Sequence, residues 1–157
     1  MSVDPYKAPQ KPVEAEDLEA QKGSHPLVTL AGFAAAAAGI MMLATTWQLA
    51  TMLWFRHGWQ EAWVYSIGFF GAVSLVAGAG YTQARGWSVY PTLIGCIGGA
   101  VTSWSWAVYA IMNGGFNLIN IVGAGAATAA AILTLISMGM AMRIARARAA
   151  LFADLDD

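Results

Sequence analysis

Apolar residues along this chain fall in four long runs, about residues 27–55, 63–82, 91–113 and 117–142, separated by short polar breaks. Each run is close to or longer than the ~20 residues a helix needs to cross the ~30 Å hydrocarbon core of a bilayer. The third run carries the most informative periodicity. At about 100° per residue, Gly95, Gly98, Gly99, Thr102, Trp106, Tyr109 and Asn113 share one face, and Leu93, Ile97, Ala100, Val101, Trp104, Val108 and Ile111 share the other. In a bilayer, lipid accepts the large apolar face. The small and polar stripe is then expected to face other helices, where short side chains let backbones approach closely.

The other runs carry similar seams. The first is nearly all small residues around Ala34–Ala38 and Gly39, then turns more polar at Thr45, Thr46, Gln48 and Thr51. Gln48 is expected to make an interhelical hydrogen bond of about 1 kcal/mol. In the second run Gly68, Gly71, Ser74, Leu75, Gly78 and Ala79 form a small-residue side. The fourth repeats Asn117, Asn120, Ala124, Ala127, Thr128, Ala131 and Leu135 at helical spacing, mirroring the stripe of the third. Together with the tight turn at Asn113-Gly114-Gly115, this predicts that the third and fourth helices pack as an antiparallel pair, with Gly95-x-x-x-Gly99 as a close-packing motif inside the chain. Pro91 suits the first turn of the third helix.

Composition supports the membrane reading. The 157 residues are 58% apolar and only 11% charged, against about 25% charged in an ordinary soluble domain. Between Leu27 and Met142 the charged residues are Arg56, Glu61 and Arg85, each at a break between runs. Residues 1–26 hold four prolines, all three lysines and an acidic patch, predicting an extended polar tail with at most one short helix over 13–22. No cleavable signal peptide is expected, because the first apolar run exceeds an h-region of about 7–15 residues. Residues 143–157 are expected to continue the fourth helix through Arg143, Arg146 and Arg148 to the acidic end Asp154, Asp156 and Asp157.

An even number of spans puts Lys7, Lys11, Lys22, Arg85, Arg143, Arg146 and Arg148 on one side, opposite Arg56 alone. By the positive-inside rule both termini are expected in the cytoplasm. High Ala, Gly and Arg with little Lys in the helical part points to a bacterial inner membrane. The expected fold is thus an all-α integral membrane protein with four transmembrane helices in an antiparallel bundle. No internal repeat of the kind found in many transporters is evident.

Candidate chemistry is sparse. The spans offer Thr, Ser, Tyr, Asn, Gln and the single Cys96, read as a small buried hydrophobe. His25 and His57 lie at opposite ends of the first helix, some 48 Å apart at ~1.5 Å per residue, so they cannot share one haem or metal. Each is better explained as a capping or interfacial residue than as a ligand, and Trp104 is a weak candidate for a flat pigment or quinone. No acid, base or nucleophile suited to catalysis lies inside a span, and no catalytic or metal site is expected. No cofactor is expected, whereas bound lipid is compatible with the sequence. Arg143, Arg146 and Arg148 are candidates for anionic headgroups. The expected function is a non-catalytic accessory subunit of a membrane complex, partnered by lipids and other membrane subunits and not by nucleic acid. The alternatives are a small-solute channel or facilitator lined by Gln48, Thr102, Tyr109, Asn113, Asn117 and Asn120, and a pigment-, quinone- or lipid-binding subunit.

Overall fold

A computed structural model describes residues 25–52, 58–115 and 118–153. Among these residues there are four helices: α1 (Pro26–Met52), α2 (Gly58–Tyr81), α3 (Val89–Met112) and α4 (Leu118–Ala153), with a 3₁₀ turn, Gly86–Ser88, leading into α3. All four are long and apolar enough to cross a membrane. Helix is the element expected of such sequences, because it satisfies every backbone donor and acceptor within the segment.

Helix α2 begins five residues before its apolar run, as Trp59, Gln60, Glu61 and Ala62 continue the same helix. Glu61 falls in its first turn, where a carboxylate is favoured by the helix dipole. Helix α4 carries Arg143, Arg146 and Arg148 on its last turns.

Each helix packs on two neighbours, giving the ring order α1, α2, α3, α4 and back to α1, with slight contact across the centre between α1 and α3. The tightest crossing joins α1 to α2 through two reciprocal glycine pairs. A Cβ on Gly32 would lie 2.8 Å from the Gly78 carbonyl, and one on Gly78 would lie 2.9 Å from the Gly32 carbonyl. Seven residues along, a Cβ on Gly39 would meet the Gly71 carbonyl at 2.6 Å, and one on Gly71 would meet the Gly39 carbonyl at 3.1 Å. Glycine at these four positions lets two backbones touch, which is how apolar helices gain contact when lipid competes for every larger side chain. As α1 runs from Gly32 through Gly39 to Thr46, its contacts on α2 run back from Gly78 through Gly71 to Gly68.

Two residues span the ring's diagonals. A Cβ on Gly99 of α3 would overlap Met42 Sδ of α1, so the Met42 thioether occupies the centre. Tyr81, fully buried at the end of α2, shares a 2.8 Å hydrogen bond with Ser137 Oγ of α4 and lies 3.3 Å from the Thr134 carbonyl. Outward faces carry Phe33, Phe69, Ile94, Val101 and Ile136, all more than half exposed. A surface of this kind suits a solvent of acyl chains.

Helices α2 and α3 end in the same hydrogen-bonded turn. Ala84 N–H donates to the Tyr81 carbonyl and Arg85 N–H to the Gly80 carbonyl; Gly114 N–H donates to Ile111 and Gly115 N–H to Ala110. This double pattern closes the last carbonyls of a helix and requires a left-handed residue, usually glycine. Gly114 takes it at φ 76°, whereas in the first turn Ala84 takes it at φ 50° while its methyl is buried.

Candidate functional site

The small-residue stripe of α3 meets α2 and α1. A Cβ on Gly95 would lie 2.6 Å from Ser74 Oγ, one on Gly98 would overlap the Phe70 ring, and Gly99 faces Met42 and Phe70. Helices α3 and α4 do pack against each other, and Trp106 of the stripe shares a buried cluster with Ala127, Ala130 and Ala131 of α4; the glycines of the stripe, however, meet α2 and α1. Trp104, on the large apolar face, is half-exposed and donates its indole N–H to Thr128 Oγ1 at 3.0 Å. A helix in a ring contacts two neighbours along two strips. The glycines went to the neighbour carrying Phe70, because a bulky ring fits a strip without side chains.

The remaining stripe residues are placed as follows. Thr102 turns its hydroxyl to its own helix, at the Gly98 and Gly99 carbonyls. Tyr109 accepts a 3.2 Å hydrogen bond from Gln60 Nε2, and exposed Asn113 donates to the Tyr109 carbonyl at 2.8 Å. Asn120 and Ala124 are buried on α4. His25 lies at the start of α1, where its Nδ1 accepts the Leu27 N–H at 3.2 Å, a capping contact. His57 and Asn117 lie outside the described residues.

An aromatic circuit went unread in the sequence. Trp59 and Trp63 on α2 face Trp106 and Tyr109 on α3, with ring centroids 5.0–6.4 Å apart around a closed loop of four contacts. The i,i+4 spacing of one pair and i,i+3 spacing of the other were available signals. The missing information was that α2 and α3 bring these turns level. Three of the four are edge-to-face, an arrangement that contributes about 0.5–1.5 kcal/mol per pair beyond burial, and Trp106–Tyr109 is tilted at 43°. Deeper in the same half, Thr45 Oγ1, Ser103 Oγ and Asn120 Oδ1 are buried without a hydrogen-bond partner among the described residues.

The opposite end is basic. Arg148 Nη1 donates to the Gln83 carbonyl at 2.6 Å, and a Cβ on Gly86 would touch Ala145 at 3.5 Å, so the end of α4 lies against the α2–α3 turn. This brings Arg85 to the same end as Arg143, Arg146 and Arg148, and Arg85, Arg143 and Arg146 are exposed. Glu61, the one acidic residue among the described residues, sits at the other end of α2.

Beside this end, α2 and α3 part to leave a wholly apolar hollow of about 330 Å³ between Phe69, Val76, Trp87 and Pro91, with Ala77 buried at its base. A second hollow of about 230 Å³ adjoins it, sharing Val76 and Trp87 and reaching Gln83 and Arg85. The Trp87 ring forms the common wall, resting on Gly80, where a Cβ would come within 2.8 Å of it. Arg85 makes no hydrogen bond or ion pair through its guanidinium among the described residues.

Among the described residues no three of His, Cys, Asp or Glu come together. Cys96 is buried, 3.8 Å from Ser74 Oγ. Comparison with known family models, curated proteins and solved structures finds no match to this chain.

Proposed function

We propose that this chain is a non-catalytic accessory or scaffold subunit of a larger membrane protein complex, and that another transmembrane helix docks on the outward face of α4. The observation that carries this reading is how the glycines divide. Those of α1, α2 and α3 at the crossings above are consumed within the chain, whereas Gly125 and Gly139 of α4 meet nothing within 4 Å. Both are exposed, and Gly125 is followed one turn on by exposed Ala129. Further along the same face α4 also carries exposed Ile132 and Ile136, so the open small-residue strip is confined to the turn from Gly125 to Ala129; the outward strip of α3 has no such opening, carrying Ile94, Ile97, Val101, Val108 and Ile111. Large side chains suit lipid, while a Gly-x-x-x-Ala strip left open suits a second helix.

The topology that goes with this reading has the four helices antiparallel and both termini in the cytoplasm of a bacterium, with the chain in the inner membrane. The gathering of Arg85 with Arg143, Arg146 and Arg148 at one end supports that orientation. A solute path through the centre of one chain has less support, because Met42 fills the axis beside Gly99 and Thr102 is bonded to its own helix. A lipid-binding reading is favoured by the apolar hollow between α2 and α3.

Two variants separate docking from folding. Gly125→Leu adds a side chain into open space, so the chain should fold normally yet lose its co-purifying subunit on mild detergent extraction and sizing. Gly95→Leu strikes Ser74 and should damage the chain itself. A wild-type chain that runs as a lone monomer, or a Gly125→Leu variant that keeps its full complement of partners, would defeat the proposal.

A further inference from the structure

We infer that the paired hollows between α2 and α3 seat one acyl chain of an anionic phospholipid, with its phosphate at Arg85. The inference does not depend on whether another helix covers α4. Three observations agree on this occupant.

The first is length. From Phe69 at the inner limit of the apolar hollow to Gly80 lining the polar one, α2 advances ~16 Å at ~1.5 Å per residue. That is close to one leaflet, half of a ~30 Å hydrocarbon core.

The second is polarity. The deep hollow has no polar lining atom, while the outer one adds Gln83 and Arg85, with Trp87 between them. This order, from hydrocarbon through an indole to a cation, follows the profile of a lipid from tail through interface to headgroup.

The third is charge. All four cations among the described residues gather at this end, and the one carboxylate among them lies at the other. Arg148 is turned onto the Gln83 carbonyl, whereas the Arg85 guanidinium has no hydrogen-bond partner among the described residues. A planar guanidinium left in this way matches a phosphate, which it can hold through two parallel hydrogen bonds. A zwitterionic lipid fills the hollow equally well but brings a second cation to a basic collar, so an anionic headgroup is preferred.

The test is native mass spectrometry of the full chain, incubated with equimolar phosphatidylglycerol and phosphatidylcholine. The wild type should retain one phosphatidylglycerol in preference. Arg85→Gln should reduce that preference about fivefold, the effect of one charge at a membrane surface, while lipid occupancy persists. Val76→Trp, which fills the wall shared by both hollows, should remove both lipids. Ala72→Leu serves the same purpose if Val76→Trp does not yield a folded chain by sizing. Equal retention of the two lipids by the wild type would overturn the inference. So would unchanged preference in Arg85→Gln, unchanged occupancy in the filled variant, or complete loss of preference in Arg143→Gln/Arg146→Gln with Arg85 intact.

Discussion

Replacing Gly39 with alanine should weaken the α1–α2 crossing by about 1–2 kcal/mol, although alanine is the better helix former by up to about 1 kcal/mol. The added methyl would lie 2.6 Å from the Gly71 carbonyl oxygen, 2.6 Å from Leu75 N and 3.0 Å from Leu75 Cα. All three are backbone atoms, so no rotamer change relieves them. Ordinary contact begins near 3.4 Å, and the two helices must part locally by roughly 0.8 Å. A gap of that size forfeits about a quarter to a half of each atom pair's ~0.1–0.2 kcal/mol. Over the roughly fifty pairs of a well-packed side-chain site this is about 1–5 kcal/mol, and the middle of that span, about 2–3 kcal/mol, lies within the usual range for overpacking. Subtracting the propensity gain leaves the stated net loss. The assay is reversible unfolding in mixed micelles, followed by circular dichroism, with Gly139→Ala alongside. Gly139 meets nothing within 4 Å, so its alanine variant should be about 0.4–1 kcal/mol more stable than wild type. If Gly39→Ala also matches or exceeds wild-type stability, close backbone approach is not what holds α1 to α2.

The two helix-ending turns give a second comparison in the same assay. Gly114→Ala should cost about 1–2 kcal/mol, purely from placing a Cβ in the left-handed region, since open space surrounds it. Ala84→Gly should change stability by less than about 1 kcal/mol, because relief of the same strain is offset by the loss of a buried methyl. Tyr81→Phe removes the cross-ring hydrogen bond to Ser137 and should cost about 0.6 kcal/mol, up to about 1.7. Ser137 keeps the Leu133 carbonyl as a partner, so the loss stays small. A larger loss would mean that Tyr81 orders the whole basic end.

Fold class was legible because bilayer solvent imposes one constraint on every span: about twenty apolar residues with all backbone groups bonded internally. That constraint is local, and it can be read from Pro26 to Ala153 without knowing any neighbour. It also separates lipid-facing from helix-facing strips, so Val101 and Ile111 are exposed and Gly95, Gly99 and Trp106 are buried, as the periodicity of α3 indicates. The candidate site was legible only in its pieces. Arg85, Trp87 and the α4 arginines each stand out in the sequence, but nothing in their spacing says that Ala145 lies on Gly86 or that Arg148 reaches Gln83.

Which strip meets which helix was decided by tertiary structure. Between membrane helices no hydrophobic force selects a partner, since lipid is as apolar as leucine; contact shape selects it instead. Shape depends on both surfaces together. The glycines of α3 resemble the alanine stripe of α4 in sequence, yet they accept Phe70 of α2 and Met42 of α1, because a bulky side chain needs a strip with no Cβ opposite it. By the same reasoning Gly32 and Gly39 became crossings only because Gly78 and Gly71 arrive at matching heights, seven residues apart on both helices. Run length and apolarity determined that the described residues hold four helices able to cross a membrane, and in α3 periodicity also told the exposed face from the buried one; the fit between pairs of surfaces determined the ring order, the plugged axis and the hollow beside Arg85.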